Sequence, residues 1–360
     1  MTASTTPLST PSPTPSSTTD PIVSSTTDRP SLLAFCKATA DGLRLDILRA
    51  LSAESFGVLE LCRIFDTPQS GMSHHLKILA TAGLVATRRE GNSIFYRRAM
   101  IASDHPLSEL TSALYETIDG VDLSEPAAKR AQTVHSERAS RSRTFFGRNA
   151  ERLRDNQNLI AEFGQYKTSV AELLANEQIP ASGRALEVGP GDCELINHLA
   201  EHYNHVTAID NSQIMLSRAQ AVIDPAHSHK VVFQHADIDQ TVEALSSNKG
   251  AQSKTPQNKR FDLMVLNMVL HHMASPAAVF ASASQLLTPG ACLLIADLCP
   301  HDQDWAREAC GDLWLGFEPT DLDAWALDAG LTRGQGIYLG LKNGFQIQVR
   351  LFHQPKTPPR

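Results

Sequence analysis

The segment 185–193, ALEVGPGDC, follows an apolar run and precedes ELINHLAEHY, which reads as a helix. Gly189 and Gly191 permit a tight turn in which backbone approaches a ligand, with the helix N-terminus facing it. Glu187 stands two residues before Gly189. About twenty residues further on, VTAID ends in Asp210, a carboxylate that can accept both hydroxyl hydrogens of a ribose. A third apolar run ends in His235-Ala236-Asp237, followed by Ile238, and a fourth, FDLMVLN, ends in Asn267. This combination fits an adenosyl ligand. A pyrophosphate-bearing dinucleotide fits less well, because Asp192, Cys193 and Glu194 place acids where the phosphates would lie and Cys193 replaces the third glycine. For proton transfer the candidates are His271, His272 and His301. His271 and His272 read as packed at a strand-to-helix junction, so His301, after Pro300 on the ligand side of the sheet, is the candidate base lining the pocket.

A second set of residues suits nucleic acid. In QSGMSHHLKILATAG, Met72, Leu76 and Leu79 share one helical face, while Gln69, Ser70, Ser73, His74 and Lys77 point outward. Those five can read base edges or hold phosphate, and Arg88, Arg89 and Arg97 in the following hairpin pattern suit the phosphate backbone. Thr67 reads as the N-cap of this helix, with Pro68 in its first turn and Gly83 closing it. His75 is expected to be partly packed. Cys62 alone cannot build a soft-metal site, and no metal ligand set is read from the sequence.

These residues must be positioned by two kinds of element. Residues 41–51 and 58–65 read as short apolar helices ahead of the polar-faced helix, and residues 84–89 and 93–98 read as strands joined through Glu90-Gly91-Asn92. That is the order of a winged helix-turn-helix, with its third helix in the major groove. Residues 122–178 are rich in Ala, Arg, Glu and Gln, with Leu153, Ile160, Phe163, Val170, Leu173 and Leu174 at helical spacing. From 184 onward, apolar runs alternate with helical segments, which predicts a mostly parallel sheet with helices on both faces. The fold class is therefore α/β, with a mostly helical winged domain in front. Residues 1–30 are Ser/Thr/Pro-rich and read as a disordered tail. Residues 31–118 form the DNA-binding unit, 119–180 a helical linker with the first helices of the sheet domain, and 181–360 the sheet domain. The polar stretch 246–259 reads as a surface insertion.

The 360 residues carry a net charge of −7, unevenly spread: residues 29–150 sum to about +3 and residues 151–360 to about −8. A modest basic excess predicts DNA affinity from a few placed side chains and from dimer formation. The six scattered cysteines suit a reducing compartment, so a cytoplasmic location is expected.

Residues 31–118 resemble the DNA-binding domain of the ArsR family of repressors. The resemblance rests on Asp41 and Arg44, Glu60-Leu61, Pro68-Gln69-Ser70 and the run Ser73–Leu79. Gly83-Leu84-Val85, Arg88-Arg89-Glu90-Gly91 and Tyr96 complete it. It implies a homodimer paired through the helices near 31–40 and 103–118, bound to a double-stranded operator. Residues 150–345 resemble the class I S-adenosylmethionine (SAM)-dependent methyltransferases. That resemblance implies that Glu187, Gly189 and Gly191 line the methionine part of SAM, Asp210 binds the ribose, Asp237 and Ile238 the adenine, and Asn267 borders the sulfonium. The chain as a whole looks like ArsR–methyltransferase fusion regulators, some of which are associated with control of the SAM cycle and S-adenosylhomocysteine. Two functions follow: methyl transfer to a small-molecule acceptor, or sensing of SAM or its product without turnover.

Overall fold

The structure is a computed structural model that describes residues 28–52, 54–90, 93–102, 104–192, 194–247 and 260–356. The expected tail up to residue 27, most of the expected insertion, the hairpin residues Gly91 and Asn92, and Cys193 lie outside the described residues.

The N-terminal unit runs α1 (Arg29–Thr39), α2 (Gly42–Ala50), β1 (Phe56–Gly57), α3 (Val58–Phe65), α4 (Gln69–Thr81), β2 (Val85–Glu90), β3 (Ser93–Arg98) and α5 (Ser108–Asp119). Residues 28–30 belong to α1 rather than to a tail: Asp28 caps the helix by accepting from the Ser31 amide, and Pro30 suits its first turn. Asp41 likewise accepts from the Arg44 amide and starts α2. Ile47, Leu48, Leu61, Ile64, Met72, Leu76 and Leu79 converge in one core. Thr67 does not cap α4. The chain turns at Asp66 in a left-handed conformation, Thr67 Oγ1 donates to Phe65 O at 3.1 Å, and Pro68 takes the capping position. β3 lies between β1 and β2, so the wing is a three-stranded antiparallel sheet.

One helix of 36 residues, α6 (Glu125–Ile160), runs from this unit into the next. At 1.5 Å per residue it spans about 54 Å. Its Ala127 and Val134 join the N-terminal core, whereas Ile160 joins a core of the sheet domain and Leu153 packs with Met215. After a break at Ala161 the chain continues in α7 (Phe163–Asn176), which buries Val170, Leu173 and Leu174.

The sheet domain follows: β4 (Arg184–Val188), α8 (Leu195–His202), β5 (His205–Asp210), α9 (Gln213–Val222), β6 (Val231–His235), α10 (Ile238–Ser247), β7 (Phe261–Asn267), α11 (Pro276–Leu286), β8 (Leu287–Leu298), α12 (Trp305–Ala309), α13 (Pro319–Asp328), β9 (Thr332–Gly340) and β10 (Gln346–His353). Strand order is β6-β5-β4-β7-β8-β10-β9, parallel through β8, with β10 antiparallel to both neighbours. Successive residues of β7 serve opposite cores: Leu263 and Val265 face one, Met264 and Leu266 the other. A strand buried on both faces reads as a continuous apolar run, which is why these strands were visible in the sequence. The sequence pair Pro289-Gly290, a turn signal read as preceding the fifth strand, does not form a separate turn. It lies inside β8, with Gly290 at φ +85°.

Candidate functional site

A cavity of about 830 Å³ opens at the carboxyl ends of β4, β5, β6 and β7, where ligands sit in open α/β sheets. Gly189 (φ +64°) and Gly191 (φ +55°) turn the chain out of β4 at its rim. A Cβ on Gly189 would stand 2.4 Å from Val269 Cγ2, so only glycine fits there. At the end of β5, Asp210 Oδ1 accepts the Ser212 amide at 2.8 Å, and burial raises its carboxyl to about 6. Asp237 Oδ1 accepts the Gln240 amide at 2.8 Å. Gly189, Gly191, Asp210, Asp237, Ile238 and Asn267 all line the cavity, as does the buried Tyr166. Glu187 does not. It is 1% exposed, its two carboxylate oxygens have no hydrogen-bond partner, and burial pushes it up to about 8. Along β4 its side chain alternates with that of Val188, which lines the cavity. At the rim, Asp192 pairs with Arg218 at 3.1 Å.

On the opposite wall stand His271 and His272, in the single helical turn after β7. His271 Nδ1 lies 2.8 Å from Asp297 Oδ1, and Asp297 also accepts the amides of Leu270 (3.0 Å) and Leu298 (2.7 Å). Burial alone would depress the His271 imidazole, but the carboxylates of Asp297 and Asp312 outweigh it and raise it to about 9. Burial and the His271 charge hold His272 well below its ordinary value. His301, the expected base, does not line the cavity. Its ring packs on Phe345 with centroids 4.7 Å apart, and its Nδ1 accepts the Gln303 amide. The segment after β8 runs beside the start of β10, where Cys299 N donates to Gln346 O at 2.8 Å, and His301 N donates to Leu315 O. Trp314 and Phe317 are core residues. Burial pushes the Cys299 and Cys310 thiols up to about 11 and about 12, so neither offers a thiolate at neutral pH.

The cavity also takes residues from outside the sheet domain. Glu54, in the loop before β1, and His135 on α6 line it. Ser275 Oγ donates to Glu54 Oε1 at 3.0 Å, and His135 Nε2 lies 3.0 Å from Glu54 Oε2. Burial raises Glu54 to about 7 and lowers His135 to about 4. Beside them Arg138 of α6, 5% exposed, donates to Glu60 of α3, to Ser55 O and to Ala274 O. Sequence reasoning missed Glu54, His135 and Arg138, because no local motif marks a contact between elements more than 70 positions apart.

On the winged unit, Gln69, Ser70, Ser73, His74 and Lys77 are exposed along α4, and His75 is half-buried beside Asp41 and Arg44. Arg89 is exposed. Arg88 and Arg97 are placed differently from the sequence expectation. They share the outer face of the hairpin with Phe95, and that face is pressed against the sheet domain. Arg88 donates to Gly316 O at 2.9 Å and lies over the rings of Trp314 and Phe317. Arg97 pairs with the buried Asp321 at 2.9 Å, and Phe95 packs on Trp314. In this arrangement their charges are taken up inside the molecule.

Comparison with known proteins finds separate matches for the two parts of the chain. Residues 39–88 match a family described as a helix-turn-helix domain, and residues 160–332 match one described as a methyltransferase domain. An uncharacterized helix-turn-helix transcriptional regulator of Methanocaldococcus jannaschii is 44% identical over 63 residues, covering 17% of this chain and 68% of that protein. The ubiquinone biosynthesis O-methyltransferase of Psychrobacter arcticus is 25% identical over 167 residues, covering 42% of this chain and 60% of that protein. The arsenical resistance operon repressor of Staphylococcus aureus is 36% identical over 66 residues, covering 18% of this chain and 64% of that protein. The chain thus spans less than two thirds of most of these curated relatives. A solved magnesium protoporphyrin IX methyltransferase from Synechocystis PCC 6803 aligns at 16% identity and TM-score 0.44, covering 60% of this chain and 99% of that chain. The chain belongs to the ArsR-type helix-turn-helix regulators and carries, after its DNA-binding unit, a methyltransferase domain with a Rossmann-like sheet.

Proposed function

We propose that the protein is a dimeric DNA-binding transcriptional regulator whose methyltransferase domain binds SAM and transfers its methyl group to a small-molecule acceptor. The observation that carries this reading is the single cavity lined by the glycine turn, Asp210 and His272 together with Glu54 of the DNA-binding unit. The residues fit SAM: the glycine turn brings backbone to the cavity rim, and the Asp210 carboxylate, which can accept ribose hydroxyls, lines the same cavity. SAM, when bound, supplies an electrophilic methyl group on a good leaving group. The chain's own part is to orient. The glycine turn and Asp210 hold the adenosyl half, Asp237 and Ile238 border the base, and Asn267 borders the reacting end. His271 and His272 line the cavity on the acceptor side. His272 Nδ1 lies 3.3 Å from Gly311 O, and its Nε2 is buried with no hydrogen-bond partner among the described residues. DNA would be read by α4, with Arg89 on the backbone.

A second reading, sensing of SAM or S-adenosylhomocysteine without turnover, is favoured by the hydrogen bonds that tie Glu54 and Ser55 to Ser275 and Arg138. These connect the cavity wall to the loop that precedes α3, so a ligand that moves the wall acts on the DNA-binding unit. Calorimetric titration with SAM and S-adenosylhomocysteine tests both readings. Binding that Asp210→Ala abolishes is expected, and product formation with candidate acceptors separates turnover from sensing. Absence of binding by either compound would sink the cofactor assignment.

A further inference from the structure

Among the described residues, two groups of side chains bring three metal-ligating atoms together. His198, Glu201 and His202 do so on α8, and His271, His272 and Asp312 do so in the core beside the cavity. The buried group has the features of a built site. His271 Nε2 and His272 Nδ1 each lie 3.7 Å from Asp312 Oδ1, and the ligand atoms of all three residues fall within 4.8 Å of one another. That spacing is longer than a hydrogen bond. It is within a few tenths of an ångström of the roughly 3.3 Å that separates neighbouring ligands on a tetrahedral zinc with bonds of about 2.0–2.1 Å. All three side chains are buried, so an ion here would be shielded from bulk water.

The surroundings support the same reading. Asp297, fully buried, holds His271 through Nδ1 and turns Nε2 toward Asp312. A carboxylate on the outer nitrogen of a ligating histidine is the usual way a protein fixes the ring and its tautomer. Asp297 is itself held by two backbone amides, Leu270 and Leu298, so the ring is anchored to β8. Gly311 O, 3.3 Å from His272 Nδ1, is the one group with which an ion would compete for that nitrogen. His271 and His272 also line the cavity, so a coordination position beyond the three side chains would open toward a bound ligand.

The geometry points to a divalent transition-metal site built from His271, His272 and Asp312, oriented by Asp297, on the acceptor side of the cavity. Two imidazoles and one carboxylate suit zinc or a neighbouring first-row ion, and not magnesium or calcium, which prefer all-oxygen sets. Three protein ligands leave a position for an oxygen of the cavity's ligand, so the acceptor class is a molecule presenting a hydroxyl or carbonyl oxygen. That last step rests on the methyltransferase reading; the metal site itself does not.

The test is zinc titration of the full-length, chelator-treated protein by calorimetry, alongside three variants. Wild type is expected to bind one ion in the buried site, and His202→Ala, which breaks only the surface group on α8, keeps it. Asp297→Asn leaves the three ligands in place and weakens zinc roughly 10–100-fold, and Asp312→Asn removes binding. If Asp312→Asn fails to fold, X-ray absorption of zinc-loaded His202→Ala decides, with two imidazoles and oxygen expected at the metal. No zinc binding by wild type, loss of binding in His202→Ala, or wild-type affinity in folded Asp312→Asn would each overturn the site. S-adenosylhomocysteine binding is measured in the same preparations. Its presence without zinc binding would leave the cofactor reading standing and remove only this one.

Discussion

Gly189 shows how much one backbone position decides. It combines a positive φ with a neighbour, Val269 Cγ2, that leaves no room for a Cβ. Gly189→Ala is expected to lower S-adenosylhomocysteine affinity by at least tenfold, read by calorimetry, with the melting temperature as the check on folding. Asp210 gives the pH dependence of the same site. Its carboxyl is raised to about 6 and must be ionised to accept two ribose hydroxyls, so binding is expected to be about tenfold weaker at pH 5 than at pH 7.5. Glu187 affects stability instead. Its ordinary value of 4.5 rises to about 8 in the folded protein. Between those values the folded state keeps a proton that the unfolded chain has lost, so stability falls as pH rises through this window. Glu187→Gln removes that fall and is expected to stabilise the protein at pH 8 by on the order of 3 kcal/mol, with little effect near pH 4.5. The glycine turn and Asp210 were legible because each ends a strand at a fixed spacing. The cluster of His271, Asp297 and Asp312 was not, because β7 and the segment after β8 meet only in the fold.

At the scale of elements, α6 has the largest effect. Its Arg138 reaches both Glu60 on the winged unit and Ala274 O on the sheet domain. Arg138→Ala leaves Glu60 with only the Gly57 amide as a partner and removes the buried guanidinium that bridges the two units, and is expected to cost about 3 kcal/mol in a denaturant melt. The wing depends on a similar pair. Asp321→Asn weakens the hold on Arg97, so amides of residues 85–98 should exchange faster while those of β4 and β7 stay unchanged. The sequence showed helix 58–65, the start of the helix from Gln69, and strands β4 and β7 almost to the residue, because their apolar periods were clean, but it began β8 five residues late, at Cys292. It did not show the last two strands. β9 is exposed along much of its length, so its alternation of buried and exposed positions was weak. Nor could it show that Arg88 and Arg97 meet Gly316 and Asp321 more than 200 positions away, since hairpin arginines read alike whether they face phosphate or protein.

The whole molecule places one cavity where three parts of the chain meet: the methyltransferase sheet, α6 and the loop carrying Glu54. No helix among the described residues is long and apolar enough to cross a membrane. The N-terminal unit keeps its recognition helix exposed while its hairpin leans on the sheet domain, so the two halves are joined at the wing, along α6 and at the cavity wall. The proposed coupling is that a ligand in that cavity acts on both. The direct measurement is the affinity of the full-length protein for a DNA duplex selected from random sequence, with and without saturating S-adenosylhomocysteine. A shift of about fivefold or more, absent in Asp210→Ala, is expected, which is at least about 1 kcal/mol of coupling. Demonstrated ligand binding with an unchanged DNA affinity would contradict the account.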